Sequence, residues 1–298
     1  IILNLINYFI YILLIMETLQ IWNIVMAFLQ FVMGILLVVV YNDKNLFDRP
    51  IELSGTSVEK VPSSSSAEYE LSWGEKNRGK ANIAAEAVAF FFITGIFHSI
   101  YAITNCGCYD KMIRNQNNSL RWIEYSITAT LMIRIIALQA GVRDEDTLSL
   151  ITVNTVGVML QGQIVESTLA NNKLDDKQKM TIFIASIIGW ILMISNFYII
   201  VNTFINLDKD IDKFNCKDVS IPDFVVWIII TQLIFYASFG FIQLVQIFNK
   251  LYRPSNYNYR TYELAYIVDS LASKLTLGSI LAYAVLGADE GAYGTFTC

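Results

Sequence analysis

Charge is what this sequence has least of. Asp, Glu, Lys and Arg make up 16% of its 298 residues, where soluble domains carry about 25%. With 55% hydrophobic residues and a mean hydropathy of +0.48, that deficit excludes an ordinary water-soluble domain and points to a chain that crosses a membrane several times. A basic excess is missing too. The net charge is −5 and no basic stripe runs along any segment, which excludes a nucleic-acid partner. Histidine occurs once, at His98, and the four cysteines, Cys106, Cys108, Cys216 and Cys298, have no companions at zinc-ligand spacing. No metal site and no catalytic set is expected, and the chain reads as a non-enzyme. The opening residues 1–16 lack the basic n-region of a secretory signal.

What is abundant is long apolar runs. Spans are expected at about 18–41, 81–104, 119–140, 148–170, 180–205, 222–249 and 261–288, each long enough to cross a bilayer core of about 30 Å. The fold expected is an all-α membrane protein, a bundle of seven transmembrane helices occupying 18–288. Residues 1–17 form an N-terminal extension, with Met16 a candidate initiator, and 289–298 a C-terminal tail. Between the first two spans, 42–80 changes character. Pro50, Pro62, a run of four serines and thirteen charged residues surround two stretches of period-two alternation, PIELSGTSVEKV and AEYELSW, which predict a β-hairpin in this long first loop. Basic residues concentrate in YDKMIRN, NNKLDDKQK and KLYRPSNYNYR, whereas GVRDED and LDKDIDKFNCKDVS lean acidic. By the positive-inside rule the N-terminus lies in the cytoplasm and the C-terminus outside. That topology puts Cys216 and Cys298 on the oxidising side, where they could bridge.

One residue in the last span demands a reason. Lys274 sits near the centre of TYELAYIVDSLASKLTLGSILAYAVLGA, more than ten residues from either end, about 20 Å along a helix. That is too deep for its stem to snorkel to the interface, and a bare ammonium at mid-depth costs several kcal/mol. The lysine therefore either pairs with a buried carboxylate or has condensed with an aldehyde. Counting depth from the span ends brings Glu124 and His98 to within about 8–9 Å of the same membrane face. Ser270 lies one turn before Lys274 on its face, and Arg121 one turn before Glu124. Glu86, Arg134 and Glu166, within two turns of their span ends, read as snorkelling residues. Asp269 is deep but about 140° around the helix from Lys274, and no partner is evident for it.

RWIEYS at 121–126, with a lysine centred in the seventh span after SLAS, resembles the microbial rhodopsins, and heliorhodopsins in particular. WNIVMAFLQFVMG at 22–34, the strand-like first loop and the orientation are similar to that family as well. The resemblance implies that Lys274 carries all-trans-retinal covalently as a protonated Schiff base with Glu124 as counterion, and that Arg121 helps keep Glu124 ionised. It implies further that Ser270, His98, Ser126 and Thr128 complete the surroundings of the linkage, and that the protein is a homodimer in the bilayer with an unknown signalling partner. His98 matches the second-helix histidine of the family's polar cavity. Gln30 stands where that cavity has a first-helix histidine, and Met33 where it has a glutamine, so a two-histidine proton acceptor is reduced to one. A polyene needs an apolar sleeve with a few placed polar groups. The candidates for it are Tyr125 and Met132 on the third span, Met159, Gln161 and Gly162 on the fourth, Trp190 and Met193 on the fifth, and Phe235, Tyr236 and Phe239 on the sixth.

Proton-pumping rhodopsins resemble one another in an acceptor carboxylate, a threonine four residues on and a donor carboxylate eleven on, with an aspartate four before the lysine. This chain has Glu124, Thr128, then Ile135 and Ser270 at those places. Without a donor, reprotonation from the far side is slow, so a light sensor is expected rather than a pump. The alternatives are light-gated or light-driven proton transport through carboxylates such as Asp269, Glu86 and Glu166, and a seven-helix receptor or transporter without retinal.

Overall fold

In the computed structural model, described residues are 18–62, 69–103, 108–171, 173–213 and 221–287. Residues 1–17, the serine run, Cys106, Cys216 and Cys298 lie outside that set, and with them the readings made of the extension and of a disulfide.

The chain runs α1 (Thr18–Asp43), β1 (Ile51–Pro62), β2 (Tyr69–Ala81), α2 (Ile83–Ile103), a short α3 (Cys108–Arg114), α4 (Ser119–Gln139), α5 (Glu145–Leu169), α6 (Asp176–Lys213), α7 (Asp223–Tyr252) and α8 (Tyr259–Gly287). Six of these helices are long and apolar enough to cross a bilayer by composition alone. The remaining span, α4, carries Arg121, Glu124 and Arg134. It spans nonetheless because it lies inside the bundle, with Ile133, Ile135, Ile136, Ala137 and Leu138 fully buried against α2 and α5. α8 packs on both α7 and α1 and closes the ring. The outward faces are apolar, with Phe28, Val153, Phe183, Ile234 and Tyr283 each more than half exposed, as lipid-facing surfaces must be.

Helix ends are set by local chemistry. The Asn118 and Asp144 side chains accept from the N–H groups of Arg121 and Thr147 at the starts of α4 and α5. Asp175 and Gln178 exchange hydrogen bonds in a capping box before α6. Between α4 and α5, Gly141 takes φ +96° with a Leu207 methyl 2.6 Å from where a Cβ would sit, so only glycine makes this turn. In lipid, polar side chains bridge helices where the hydrophobic effect cannot. Asn196 of α6 donates to Thr155 Oγ1 at 3.0 Å and accepts from Asn154 at 3.1 Å, both on α5.

The first loop is the expected hairpin. β1 and β2 pair antiparallel from Ile51↔Ala81 to Pro62↔Tyr69 with a bulge at Leu53/Ser54. Its base is tied to the bundle. Leu53 and Ala81 are buried with Tyr41 and Ala84, and Ser54 N–H donates to the Arg143 carbonyl at 2.9 Å. This hairpin end is opposite the end where α4 and α8 begin.

Three charged residues depart from the sequence reading. Glu86 and Arg134 do not snorkel separately but bind each other at 2.8 Å between α2 and α4. Glu166 is not an interfacial side chain at all, being 1% exposed.

Candidate functional site

The site is built where α2, α4 and α8 meet. The Lys274 ammonium is buried and donates to Glu124 Oε1 at 2.9 Å and Thr94 Oγ1 at 2.8 Å. Glu124 is fully buried. Its second oxygen has no hydrogen bond and faces His98 Nε2 at 3.7 Å, also without one. On the other side of the ring, His98 Nδ1 lies 2.6 Å from Asn23 Oδ1, and the Asn23 amide donates to the Leu19 carbonyl. With its nitrogen so engaged, Asn23 presents an acceptor, which places a hydrogen on Nδ1 and leaves Nε2 free to take a proton on the Glu124 side. Gln30, two turns along α1 from Asn23, is buried, with its nitrogen on Met26 Sδ and its Oε1 unsatisfied. Together Lys274, Thr94, Glu124, His98 and Asn23 form a polar chain across the bundle.

Beyond Lys274 a cavity opens between α4, α5, α6, α7 and α8. Tyr125, Thr128, Met132, Met159, Gln161, Gly162, Trp190, Met193, Tyr236, Phe239 and Ser270 all line it, while Phe235 does not. Two tryptophans form much of its wall by lying on glycines. A Cβ on Gly162 would stand 2.1 Å from the Trp122 ring, and one on Gly240 2.6 Å from Trp190. The Thr128 and Ser270 hydroxyls are buried without partners, as polar groups meant for a bound molecule would be. Gly162→Ala therefore forces the Trp122 ring into the cavity. The expected result is about 1–3 kcal/mol lost from thermal stability with weaker pigment formation, checked by melting curves and by titration with the chromophore.

Two of the residues singled out in the sequence stand apart from Lys274. Ser126 spends its hydroxyl on the Trp122 carbonyl at 2.7 Å. Arg121 turns away from Glu124, and its guanidinium is held between Glu166 Oε2 and Glu263 Oε2, 4.2 Å above the Tyr266 ring. The same cluster takes Asn118, whose backbone N–H donates to Glu166 and whose side chain donates to Glu263. Tyr259 and Tyr109 add their hydroxyls. On α3, outside the spans, burial and then the neighbouring Glu263 push the Tyr109 hydroxyl up from its ordinary range, keeping it a neutral donor.

Sequence reasoning missed Thr94, Asn23 and Glu263, yet each left a trace. Thr94 is one turn from His98, Asn23 is one of three amides, with Gln20 and Gln30, in an apolar span, and Glu263 lies eleven residues before Lys274, three turns away on its face.

Comparison with known proteins decides the family. The family model for heliorhodopsin matches residues 19–288. The chain belongs to the heliorhodopsin family. No curated protein matches it. Among solved structures, the heliorhodopsin chain is similar to a light-driven proton pump, LR (Mac), from Leptosphaeria maculans, with 11% identity over 88% of this chain and 96% of that one and a TM-score of 0.53. It is similar as well to Exiguobacterium sibiricum rhodopsin, with 17% identity over 90% and 97% and a TM-score of 0.54. At those identities the likeness is of fold alone, the seven-helix bundle. Membership makes this a membrane protein that senses light or is driven by it, and implies retinal as its chromophore. The site fits such a group: one buried amine at the end of an apolar, aromatic-walled cavity with two unspent hydroxyls.

Proposed function

We propose that this heliorhodopsin is a non-enzymatic light sensor that moves a proton within itself and does not pump. Retinal bound to the Lys274 amine supplies a polyene that isomerises when it absorbs light. The observation that carries the reading is the Lys274 amine hydrogen-bonded to Glu124 at 2.9 Å and Thr94 at 2.8 Å at the wall of the cavity. With retinal bound, Glu124 would balance the positive charge of the linkage and Thr94 would offer a second acceptor to the Lys274 nitrogen. Glu124 Oε2 and His98 Nε2, 3.7 Å apart, would take up and share a proton released from the linkage, with Asn23 fixing the ring. Trp122, Trp190 and Tyr236 sheathe the polyene and exclude water.

Return of a proton from the hairpin end is what a pump would need, and that side of Lys274 supports the opposite. Phe90, Phe91, Ile133, Ile135, Ile136 and Leu277 are fully buried there in one apolar cluster, and the ring of Phe91 rests on Gly278, one turn past Lys274. Ile135, at the donor position, cannot hold a proton. On the other side Arg121 ties up Glu166 and Glu263, so neither is free to relay. The N-terminus is assigned to the cytoplasm and the C-terminus to the outside, on the basic loops, and the working unit to a homodimer in the bilayer.

The test is electrical and spectral. Cells expressing the chain with all-trans-retinal are expected to give no steady photocurrent at zero voltage, and a sustained pump-like current there defeats the proposal. Glu124→Gln is expected to red-shift the visible band or to deprotonate the pigment, because the cation loses its anion. A spectrum indifferent to that change reassigns the counterion.

A further inference from the structure

Asp269 has no role in the site just described, and its surroundings define a second one. It lies on α8 ten residues after Tyr259, about 15 Å along the helix, half-buried at the seam with α7. Both its oxygens approach one atom, Ser238 Oγ of α7, at 2.8 and 2.7 Å. The same Ser238 Oγ stands 2.7 Å from the Phe235 carbonyl of its own helix. A serine hydroxyl has one hydrogen. Three acceptor oxygens around it at hydrogen-bonding distance need a second hydrogen, and the backbone carbonyl cannot provide one. If Ser238 donates to Phe235, as serines within helices do, the remaining hydrogen belongs to the carboxyl. Charge leads to the same conclusion. Among the described residues Asp269 forms no ion pair, and its immediate neighbour Val268 is 40% exposed on the lipid side. A bare carboxylate in that position is strongly disfavoured, while a carboxylic acid hydrogen-bonded to a hydroxyl is not.

We propose that Asp269 holds a proton in the resting protein and donates it to Ser238, forming a neutral clasp between α7 and α8 and a proton-holding site separate from that of Glu124. The residues next in sequence, Phe239 and Ser270, both line the cavity, so the clasp sits directly behind the cavity wall. Spreading of α7 from α8 opens it and leaves the acid without its acceptor.

The inference stands without the pigment, and so does its test. Infrared spectra of the full chain in lipid bilayers, without retinal, are compared between wild type and Asp269→Asn. The expected difference is a carboxylic-acid C=O band present in wild type, shifted in heavy water and lost in the variant. Asp269→Glu is expected to move that band rather than remove it, and Ser238→Ala to raise its frequency by taking away the hydrogen bond. A difference spectrum showing ionised carboxylate bands and no acid C=O overturns the proposal. A band unmoved by Ser238→Ala overturns the clasp. Should Asp269→Asn fail to fold, the Ser238→Ala comparison on the native aspartate still decides the matter.

Discussion

Lys274→Ala is expected to leave a colourless protein. Lys274 is the only buried lysine among the described residues, and among them no other amine lines the cavity, so none of them offers a second attachment point when it is gone. The variant alone is ambiguous, because deleting one partner of a buried ion pair costs about 3–5 kcal/mol and a misfolded protein is colourless as well. Glu124 would be left fully buried with the donation from Lys274 removed. The double variant Lys274→Ala/Glu124→Gln removes that stranded charge. It is expected to recover most of the lost stability and none of the colour. The measurements are the visible spectrum after addition of all-trans-retinal and the thermal midpoint of the same samples. A visible band that survives Lys274→Ala in folded protein refutes the attachment, and with it the light-sensing reading. A double variant no more stable than the single one refutes only the pairing.

The bundle was legible in the sequence because lipid imposes a strong rule. Every backbone polar group must be satisfied within the segment, so apolar length maps onto helices, and the observed boundaries fall within a few residues of the expected ones except where α6 runs on to Lys213. The hairpin was legible by its period-two pattern. Lys274 and Glu124 were legible because a charge at mid-depth is anomalous, and depth along a helix is a one-dimensional quantity that sequence supplies. Rotation about the helix and the reach of long side chains are not. Arg121 shares a face with Glu124 by spacing, yet its stem carries the guanidinium toward the helix start, where Glu166 and Glu263 wait on α5 and α8. Glu166 lies near a span end by counting and is buried in fact, because Asn118 and Arg121 at the start of α4 and Tyr259 at the start of α8 close on it. Asp269 pointed away from Lys274 as expected, but its partner is on a different helix, and no spacing rule links Ser238 to it.

Arg121→Met is expected to be the most destabilising single change in the cluster at the other end of the bundle. With Glu166 and Glu263 ionised, the group carries two negative charges against one guanidinium. Removing the guanidinium leaves two buried carboxylates, each still served by Asn118 and a tyrosine but uncompensated in charge. The cost expected is about 3–5 kcal/mol, limited by uptake of a proton between the two acids. Glu166→Gln and Glu263→Gln work in the opposite sense. Each leaves one carboxylate facing one guanidinium, an evenly balanced pair, so each is expected to cost less than Arg121→Met. The triple variant Arg121→Met/Glu166→Gln/Glu263→Gln is expected to regain much of the loss, since interacting sites are not additive. Unfolding in detergent gives the order, and the reverse order refutes the charge count. The absorption maximum supplies an independent check on geometry. Because Arg121 is turned away from Glu124 and bound by two other acids, Arg121→Met is expected to move the band far less than Glu124→Gln. An equal shift returns Arg121 to the counterion and contradicts the arrangement around Tyr266.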